Sequence, residues 1–488
     1  MNSNCAAKSD PPLRTQSALL LAAGAVAAFH LAYTVSACSF MVVVFLACLF
    51  TLSRVATSRR AFYFGLGIGL AIYGPQLSFF WNVFGPAAVA LWAVLAFWIG
   101  LFVLLTRACR ARLGPFWAAV LAPFLWTGLE YFRSELYYLR FSWLNIGYAF
   151  SDSPQLLALA GMGVYGIGFE LMGAVGLVSL LPRRPALATA TALLVALGFA
   201  TNWPARNTPT SANAPSVRVA AMQMEFPAAL EVPLKLDQLQ RAHPAAELLV
   251  LSEYTFDGAL PARVTDWCRR HTRHLIAGGK DDVDDEQFFN TAFVAGPDGS
   301  IVFKQAKAVP IQFFKDGLPA REQKVWRSPW GALGLATCYD LSYTRVMDRL
   351  VELGAEGLIV PTMDVADWGA HEHRLHARIG PMRAAEYGLP VFRVASSGIS
   401  QLIDRRGRVL ANAPFPGENA ILGGKMKLGR VGFLPPDRTL AEQCAWFAAL
   451  VLFCLACSPL TDLPWRVIRF PRHFVLSSPT QNPSNTIL

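Results

Sequence analysis

Charged residues are scarce in this chain of 488 residues. Asp, Glu, Lys and Arg together make up 16% of the sequence, while 54% of the residues are hydrophobic and the mean hydropathy is +0.36. A soluble globular chain usually carries about a quarter of its residues as charged ones. The composition therefore favours a protein that crosses a membrane several times over a soluble protein.

Cysteine is also scarce where an exported domain would need it. Of nine cysteines, only Cys268 and Cys338 lie in the polar segment between residues 202 and 440. Two cysteines form at most one bridge, which excludes a disulfide scaffold. Three histidines between residues 371 and 376 lie close together, but no cysteine accompanies them in a spacing typical of zinc sites. We predict neither a metal ion nor another cofactor.

The net charge of +10 does not point to nucleic acid. A protein that binds nucleic acid gathers Lys and Arg on one soluble face. Here the basic residues are spread over short connections between apolar runs and along the polar segment. We therefore predict no nucleic-acid partner.

Eight apolar runs are long enough to cross a hydrocarbon core of about 30 Å, which takes about 20 helical residues. They lie at about 17–36, 38–54, 61–82, 86–106, 115–132, 157–181, 186–201 and 441–460. The first run resembles a secretory signal peptide, but a second run follows almost at once and no polar domain begins there. We predict a membrane domain with seven spans over residues 1–201, and a final span with a cytoplasmic tail within residues 438–488.

Basic residues mark every second connection between these runs. They cluster as Lys8 and Arg14, as Arg54, Arg59 and Arg60, as Arg107, Arg110 and Arg112, as Arg183 and Arg184, and as Arg466, Arg469 and Arg472. Cytoplasmic loops carry an excess of Lys and Arg. The alternation predicts that both termini are cytoplasmic and that the polar segment lies on the opposite side of the membrane.

The polar segment has the pattern of an α/β domain. Residues 202–216 are rich in Pro, Asn, Ser and Thr, which is typical of a linker. Over residues 217–437, short apolar runs alternate with amphipathic stretches. Such alternation predicts strands and helices in layers, so we expect an α/β sandwich.

Three polar residues stand at the ends of apolar runs, where α/β folds display catalytic groups. Glu253 follows one run, Cys338 follows another, and a lysine, Lys304 or Lys307, follows a third. A carboxylate can take the proton of a thiol, and an ammonium stabilises both the thiolate and the oxyanion that its attack produces. Each residue alone is more often structural, since a buried cysteine fills space and a charged residue at a strand end is usually solvated. Together they predict a cysteine nucleophile.

The order Glu, Lys, Cys resembles the nitrilase, or carbon–nitrogen hydrolase, superfamily, whose catalytic residues lie at strand ends of an α-β-β-α sandwich. Supporting matches in the large domain include residues 290–302, 338–340, 363–369 and 382–388. Eight spans with such a domain between the seventh and the eighth resemble the family of bacterial apolipoprotein N-acyltransferases over nearly the full length. In the membrane half, residues 142–150 resemble that family's loop after the fifth span.

The resemblance implies an acyl transfer through a thioester. Glu253 would be the general base, Cys338 the nucleophile and a lysine the oxyanion stabiliser, with Tyr339 beside the thiol. The residues expected to contact substrate are Asn290, Trp368, His376 and Trp143. A phospholipid would donate the acyl chain, and the N-terminal amine of a diacylglyceryl-modified apolipoprotein would accept it.

The resemblance also implies a location. The protein would be a multi-pass protein of the bacterial cytoplasmic (inner) membrane, with its catalytic domain on the periplasmic side. We expect a monomer, because the spans can bury their own faces.

The lysine motif departs from the family pattern, which places the lysine five residues before a proline. Counting back from Pro310 leads to Gln305. Lys307 would face the same side of an extended strand as Gln305, whereas Lys304 would face the other side unless a bulge intervenes. We therefore predict that Lys307 is the catalytic lysine.

The glutamate that the family has shortly after this proline is also missing. Gln312 and Asp316 stand nearby. An amide takes no proton as a carboxylate does, so Gln312 would orient substrate by hydrogen bonds, and a second acid/base role would fall to Asp316 or another residue. Asp340, two residues after the nucleophile, replaces the family's more usual glutamate with a shorter arm of the same charge.

Two other functions stay open. The altered motifs are compatible with a membrane-tethered amidase, hydrolase or acyltransferase that uses another amine acceptor. The remaining hypothesis is a protein that has kept the fold, has lost the chemistry and binds lipid or lipoprotein. Replacement of Cys338 by alanine separates these functions, because it would abolish both enzyme activities and leave a binder unaffected.

Overall fold

The computed structural model describes residues 12–156, 161–202 and 215–457. Most of the predicted linker and the predicted cytoplasmic tail lie outside these residues. A helical part that ends at Asn202 precedes an α/β part, and one further helix follows the α/β part.

The helical part consists of seven helices within the described residues. They are α1 (Thr15–Thr34), α2 (Val42–Leu52), α3 (Ser58–Gln76), α4 (Phe79–Phe84), α5 (Ala87–Tyr131), α6 (Val164–Ser179) and α7 (Arg183–Asn202). Short 3₁₀ helices cover Ser36–Met41 and Ile146–Phe150, and a π-helical turn covers Phe132–Leu136.

Among the described residues, four helical segments are long and apolar enough to cross a membrane. They are Thr15–Thr34, Ala87–Leu136, Arg183–Asn202 and the helix after the α/β part, Asp437–Cys457. Gly114, with a φ of 88° and a ψ of 172°, divides α5 into two helical parts. These parts correspond to the predicted spans at 86–106 and 115–132. The count of eight spans stays a prediction.

Three predicted spans differ from the observed helices. The span predicted at 38–54 contains a 3₁₀ helix followed by α2, whose 11 residues reach about 16 Å, roughly half of a hydrocarbon core. The span predicted at 61–82 is divided between α3 and α4, because Pro75 has no N–H for the Ala71 carbonyl, which His30 Nε2 contacts instead at 3.0 Å. In the span predicted at 157–181, the helix begins at Val164, and residues 157–160 lie outside the described residues.

Small residues allow α3 and α5 to pack closely. A Cβ atom on Gly65 would lie 2.7 Å from the Cα of Gly100, and one on Gly69 would lie 2.5 Å from the Cα of Ala96. Membrane helices commonly approach each other through such small residues. A larger side chain at either glycine would push α3 away from α5.

The α/β part contains two six-stranded sheets. The strands are β1 (Ser216–Met222), β2 (Leu248–Val250), β3 (His274–Asp282), β4 (Phe288–Ala295), β5 (Ile301–Ala306), β6 (Val325–Ser328), β7 (Gly331–Leu335), β8 (Gly357–Thr362), β9 (Val391–Ala395), β10 (Ser400–Ile403), β11 (Val409–Ala413) and β12 (Ile421–Lys427). Their orders are β12-β1-β2-β3-β4-β5 and β11-β10-β9-β8-β7-β6. Strands β1 to β3 are parallel, as are β7 to β9, so each group ends at one edge of its sheet.

Helices cover the outer faces of both sheets. The helices of this part are α8 (Val232–Ala242), α9 (Ala262–His271), α10 (Thr344–Glu352), α11 (Ala370–Ala377) and α12 (Ile379–Tyr387), and α13 is Asp437–Cys457. Alternate residues of β2 separate two cores: Val250 packs between the sheets, whereas Leu249 packs with Leu236 of α8 and Trp267 of α9. On the second sheet, Leu358 packs in one core with Met347 of α10. These layers confirm the predicted α-β-β-α sandwich.

The carboxyl ends of β7 and β8 face the helical part. Tyr339 donates its hydroxyl to the Arg140 carbonyl at 3.0 Å, and Trp143 Nε1 donates to Ser342 Oγ at 3.0 Å. Arg378, just after α11, donates to the Tyr33 carbonyl at the end of α1 at 2.7 Å. The nucleophile predicted at Cys338 therefore lies beside the junction of the two parts.

Candidate active site

Three strand ends bring together the predicted glutamate, lysine and cysteine. Glu253 follows β2, Lys307 follows β5 and Cys338 follows β7, so the two sheets meet at this site. Lys307 Nζ lies 2.9 Å from Glu253 Oε1, and both side chains are fully buried. Cys338 has a φ of 50° and begins a 3₁₀ helix, Cys338–Ser342. A positive φ is unfavourable for a cysteine, and this strain is of the kind often found at functional sites.

The loop after β8 connects the base and the thiol. The Met363 N–H donates to Glu253 Oε2 at 2.7 Å, and the Met363 carbonyl lies 3.7 Å from Cys338 Sγ. The Met363 peptide thus holds one oxygen of the glutamate and contacts the sulfur. This contact limits the positions that the thiol can take relative to Glu253.

The structure separates the two candidate lysines. Lys304 lies within β5 opposite Phe293 of β4, and its half-exposed ammonium pairs with Asp281 at 2.7 Å. Lys307 lies just beyond the strand, and its ammonium is buried between two carboxylates. The alternation of side chains along the strand agrees with the exposure of Lys304 and the burial of Lys307, and the catalytic role of Lys307 stays a prediction.

Asp316 is the second carboxylate at the lysine. Its Oδ2 lies 2.7 Å from Lys307 Nζ, and the same oxygen accepts the Ile311 N–H at 2.7 Å. Oδ1 accepts the Tyr254 hydroxyl at 2.8 Å. The sequence named Asp316 only as an alternative for the missing glutamate. Its position six residues after a proline gave no indication that the loop turns it back toward the lysine.

Asn290, which the sequence predicted to contact substrate, donates hydrogen bonds to both carboxylates. Its Nδ2 donates to Glu253 Oε1 at 2.6 Å and to Asp316 Oδ1 at 2.8 Å. The side chain is fully buried. We therefore interpret Asn290 as a positioning residue for both acids.

Asp340 connects the nucleophile turn to the lysine loop. One oxygen accepts the N–H groups of Thr337 at 3.0 Å and Ala308 at 3.1 Å, and the other accepts the Val309 N–H at 2.7 Å. Burial raises the pKa of Asp340 to about 6, while Lys307 and these N–H groups act in the opposite direction. Its hydrogen bonds indicate a structural role, because they use both oxygens.

Burial dominates the electrostatics of the three central groups. It raises the pKa of the Cys338 thiol well above its usual value, and the nearby Glu253 carboxylate adds to this rise. Burial also raises the pKa of Glu253, which Lys307 lowers and Asp316 raises. Burial opposes the charge of Lys307, but Asp316 and Glu253 outweigh it and raise the pKa of the lysine. The resting site thus holds a protonated thiol beside a carboxyl that is a stronger base than usual.

An apolar cavity of about 110 Å³ lies between the helical part and Tyr339, the residue next to Cys338. Its lining comes from α4 and α5, from the segment 139–143, from the loop 311–314, and from Tyr339, Trp368 and Glu372. Trp143 and Gln312, both predicted to contact substrate, are among the lining residues. Gln312 also bonds through Nε2 to the Tyr138 carbonyl. The cavity can therefore receive part of an apolar chain beside Tyr339, the neighbour of Cys338.

His376 lies behind the wall of this cavity. Its ring stacks on Trp143 with centroids 4.4 Å apart and planes 13° apart. Its Nδ1 lies 2.7 Å from Asp364 Oδ1. The predicted substrate contact of His376 is thus indirect in this structure, because the imidazole holds Trp143 and Asp364 in place.

One buried group has the spacing of a metal site. Asp364, Glu372 and His376 bring their ligand atoms within 4.8 Å of one another. However, Asp364 is already paired with the guanidinium of Arg393 at 2.6 Å and with His376. Asp364 and His376 are thus already engaged, which leaves Glu372 as the one ligand of the three without a hydrogen bond, and a single ligand does not hold a metal ion. We assign no metal ion to this group.

Two family descriptions match successive parts of the chain. Residues 22–177 match the apolipoprotein N-acyltransferase N-terminal domain. Residues 220–435 match the carbon–nitrogen hydrolase domain. Together the two matches cover well over half of the chain and include Glu253, Lys307 and Cys338.

Relatives match over most of their length. An apolipoprotein N-acyltransferase from Shewanella oneidensis is 25% identical over 428 residues, covering 74% of this chain and 81% of the relative. One from Azotobacter vinelandii is 27% identical over 477 residues, covering 83% of this chain and 88% of the relative. A crystal structure of a carbon–nitrogen hydrolase from Helicobacter pylori G27 aligns at 19% identity with a TM-score of 0.39, covering 49% of this chain and 95% of that chain.

Proposed function

This chain belongs to the apolipoprotein N-acyltransferase family, and on that premise we propose that it transfers a fatty acyl chain from a phospholipid to the N-terminal amine of diacylglyceryl-cysteine on apolipoproteins. The transfer runs through a thioester on Cys338. The catalytic residues are Glu253, Lys307 and Cys338, and the reaction uses no cofactor.

In the first half-reaction, the Cys338 sulfur attacks the carbonyl carbon of a phospholipid ester. Glu253 takes the thiol proton as the C–S bond forms, since the raised pKa of its carboxyl makes it a stronger base. The Lys307 ammonium stabilises the oxyanion. The ester C–O bond then breaks, Glu253 returns the proton to the leaving alkoxide, and a lysophospholipid departs.

In the second half-reaction, a neutral amine attacks the thioester carbon. The C–N bond forms, the C–S bond breaks, and Glu253 takes one of the two amine protons and passes it to the Cys338 thiolate, while the other stays on the amide nitrogen. The products are an amide and the resting thiol. Both substrates carry acyl chains in the bilayer, so an integral enzyme holds them close to the nucleophile and lowers the entropy loss of bringing them together.

The observation that carries this proposal is the apolar cavity between the nucleophile turn and the membrane helices. Tyr339, next to Cys338, lines it together with Phe84 at the end of α4 and Leu95 of α5. A soluble amide hydrolase has no need of an apolar cavity that is lined in part by apolar helices. A donor whose acyl chain lies in the bilayer fits this cavity.

The ends of the membrane helices support the proposed orientation. Arg107 donates to the Val55 carbonyl, Arg110 donates to Ser53 Oγ, and the Leu13 N–H donates to the Arg54 carbonyl. These basic connections therefore meet at one end of the helices, while Tyr33 at the other end contacts the α/β part. By the positive-inside rule, the arginine-rich end is cytoplasmic and the catalytic domain periplasmic. We propose eight spans, an inner-membrane location and a monomer.

Fusions to alkaline phosphatase test this orientation, because that enzyme is active only when exported. A fusion after Ala212, in the linker, is expected to be active, and a fusion after Arg112 is expected to be inactive. The reverse pattern would invert the proposed topology.

Mass spectrometry tests the activity itself. Purified protein is incubated with phospholipid and a synthetic dipalmitoylglyceryl-cysteine peptide. A gain of one amide-linked acyl chain on the peptide, absent with Cys338→Ala, is expected. Release of free fatty acid without peptide acylation would instead indicate a hydrolase, and an unchanged peptide and lipid would indicate a binding protein.

A further inference from the structure

We propose that Glu372 forms a binding site for the ammonium group of the acceptor and takes the first of the two protons that this group must lose. This inference rests on the proposed function and assigns a separate residue to the acceptor amine. Its structural basis is the juxtaposition of a buried carboxyl without hydrogen bonds and the apolar cavity beside Cys338.

Glu372 is a buried acid that the protein itself does not satisfy. It lies in α11, its relative exposure is 1%, and neither carboxyl oxygen has a hydrogen-bond partner among the described residues. A buried carboxyl without hydrogen bonds destabilises the folded protein unless a ligand supplies them. Glu372 nevertheless lines the same cavity as Tyr339 and Trp143. A ligand that enters this cavity can therefore reach the carboxyl.

The neighbouring groups on its own helix do not neutralise Glu372. His373 Nδ1 lies 2.7 Å from Oε2 and His376 Nδ1 lies 3.7 Å from Oε1, but neither contact has hydrogen-bond geometry. Burial lowers the pKa of both imidazoles, that of His376 to about 4, so both rings are uncharged at neutral pH.

The charged groups near Glu372 that lie outside α11 are compatible with a positively charged ligand at its carboxyl. Asp364, from the loop after β8, adds a negative charge that raises the pKa of Glu372. The Arg393 guanidinium of β9 acts in the opposite direction with the smaller effect, and it is already bonded to Asp364 at 2.6 Å. Arg140, in the cavity lining, donates to the Glu135 carbonyl and lies over the Tyr343 ring. The local surroundings of Glu372 therefore favour a positively charged ligand.

The chemistry of the second half-reaction requires such a group. A primary amine is an ammonium at neutral pH, and it has no lone pair for attack until one proton leaves. Glu253 is needed for the later proton, which leaves as the C–N bond forms. The first proton therefore needs another acceptor, and in the proposed step R–NH₃⁺ and the Glu372 carboxylate become R–NH₂ and the carboxylic acid. Glu372 then returns this proton to solvent.

The apolar cavity favours this proton transfer. In a medium of low dielectric constant, a charged carboxylate–ammonium pair is less stable relative to the neutral acid–amine pair than it is in water. Burial and the nearby Asp364 raise the pKa of Glu372, which makes its carboxylate a better proton acceptor. The same burial makes the amine of the acceptor more acidic.

Separate measurement of the two half-reactions tests the inference. Full-length protein is loaded with phospholipid, and intact-protein mass spectrometry follows first the gain of the acyl group and then its loss on addition of the diacylglyceryl-cysteine peptide. Glu372→Gln is expected to accumulate the thioester and to transfer it to the peptide at least tenfold more slowly at neutral pH. The deficit should shrink as the pH rises and the peptide amine loses its proton in solution.

Two controls separate a proton-transfer role from a structural one. Hydroxylamine is an uncharged nucleophile at neutral pH, so it should cleave the thioester of Glu372→Gln as fast as that of the unmodified protein. Asp367→Asn changes an exposed carboxyl five residues earlier, and it should leave transfer to the peptide unchanged.

The outcomes are distinguishable from a failure of the proposed function. If the unmodified protein forms no thioester, the acyl-transfer function is wrong. If the thioester forms and Glu372→Gln transfers it to the peptide at the normal rate, or if hydroxylamine cleavage slows to the same extent as peptide transfer, the ammonium site is wrong.

Discussion

The Asp316 carboxylate lies 2.7 Å from the Lys307 ammonium, and both side chains are buried. Glu253 contacts the same ammonium at 2.9 Å, so two acids share one cation. Because one positive charge cannot fully compensate two negative charges, Asp316 raises the pKa of Glu253. Asp316 thus increases the basicity of the group proposed to deprotonate Cys338.

Replacing Asp316 by asparagine is expected to weaken this base. The substitution removes the negative charge that raises the pKa of Glu253, so Glu253 should ionise at lower pH. The acidic limb of the pH–rate profile for thioester formation should therefore move to lower pH, and the rate at neutral pH should fall by about tenfold, corresponding to roughly 1.4 kcal/mol. Asp316→Glu retains the charge and serves as the control. An acidic limb that stays in place or moves to higher pH would contradict this coupling.

Substitution of Lys307 and substitution of Lys304 are expected to affect thioester formation differently. Lys307→Met removes the cation at the oxyanion, and thioester formation should fall by about 10²–10³-fold. It also leaves two buried carboxylates without their cation, which should lower the unfolding free energy by about 3–5 kcal/mol. Rates must therefore be referred to the folded fraction, measured by thermal unfolding.

Lys304→Met is the matched control for that substitution. Lys304 is half-exposed and paired with Asp281, a contact worth about 0.2–1 kcal/mol, so activity should stay within twofold. An inactive Lys304→Met protein beside an active Lys307→Met protein would reverse the assignment of the lysine.

The sequence predicted the structure well where side chains alternate with a period of two residues along a strand. The two-residue alternation along β5 distinguished Lys307 from Lys304, and apolar runs located β2, β7 and β8. It was less informative for Asp316, because an irregular loop carries this residue back to the lysine. Glu372 gave no signal, since its role depends on a cavity formed by two distant parts of the chain.

The membrane helices were predicted less well for a related reason. Hydropathy detects an apolar run, but it does not detect where the helix breaks within or beside that run. Pro75, which lacks an N–H, lies near such a break between α3 and α4, and α6 begins only at Val164, within the predicted span at 157–181. The apolar content of the spans was therefore apparent, whereas their boundaries were not.

Chelation of metal ions is expected to leave acyl transfer unchanged. Asp364 is already bonded to Arg393 and His376, and the chemistry proposed for Glu253, Lys307 and Cys338 consists of nucleophilic attack, proton transfer and charge stabilisation, none of which needs a metal ion. The measurement compares peptide acylation before and after dialysis against EDTA, with metal content determined by mass spectrometry. Loss of activity that zinc or another divalent ion restores would require a metal role for the group around Asp364.

The apolar cavity should limit the length of the acyl chain that the enzyme accepts. Leu91 of α5 lines the cavity, so Leu91→Trp should fill part of it. Each methylene group excluded from the cavity loses about 0.8 kcal/mol of transfer free energy, so loss of two groups should reduce transfer from a hexadecanoyl donor by about tenfold. An octanoyl donor, whose shorter chain does not reach the new side chain, should react as before.

Leu193→Trp is the control for this substitution. Leu193 lies on α7 outside the cavity lining, at a position that is 45% exposed, so its replacement should change neither rate. An equal loss for both chain lengths in Leu91→Trp would indicate general damage to the helix packing, and no loss for either would show that the acyl chain binds elsewhere.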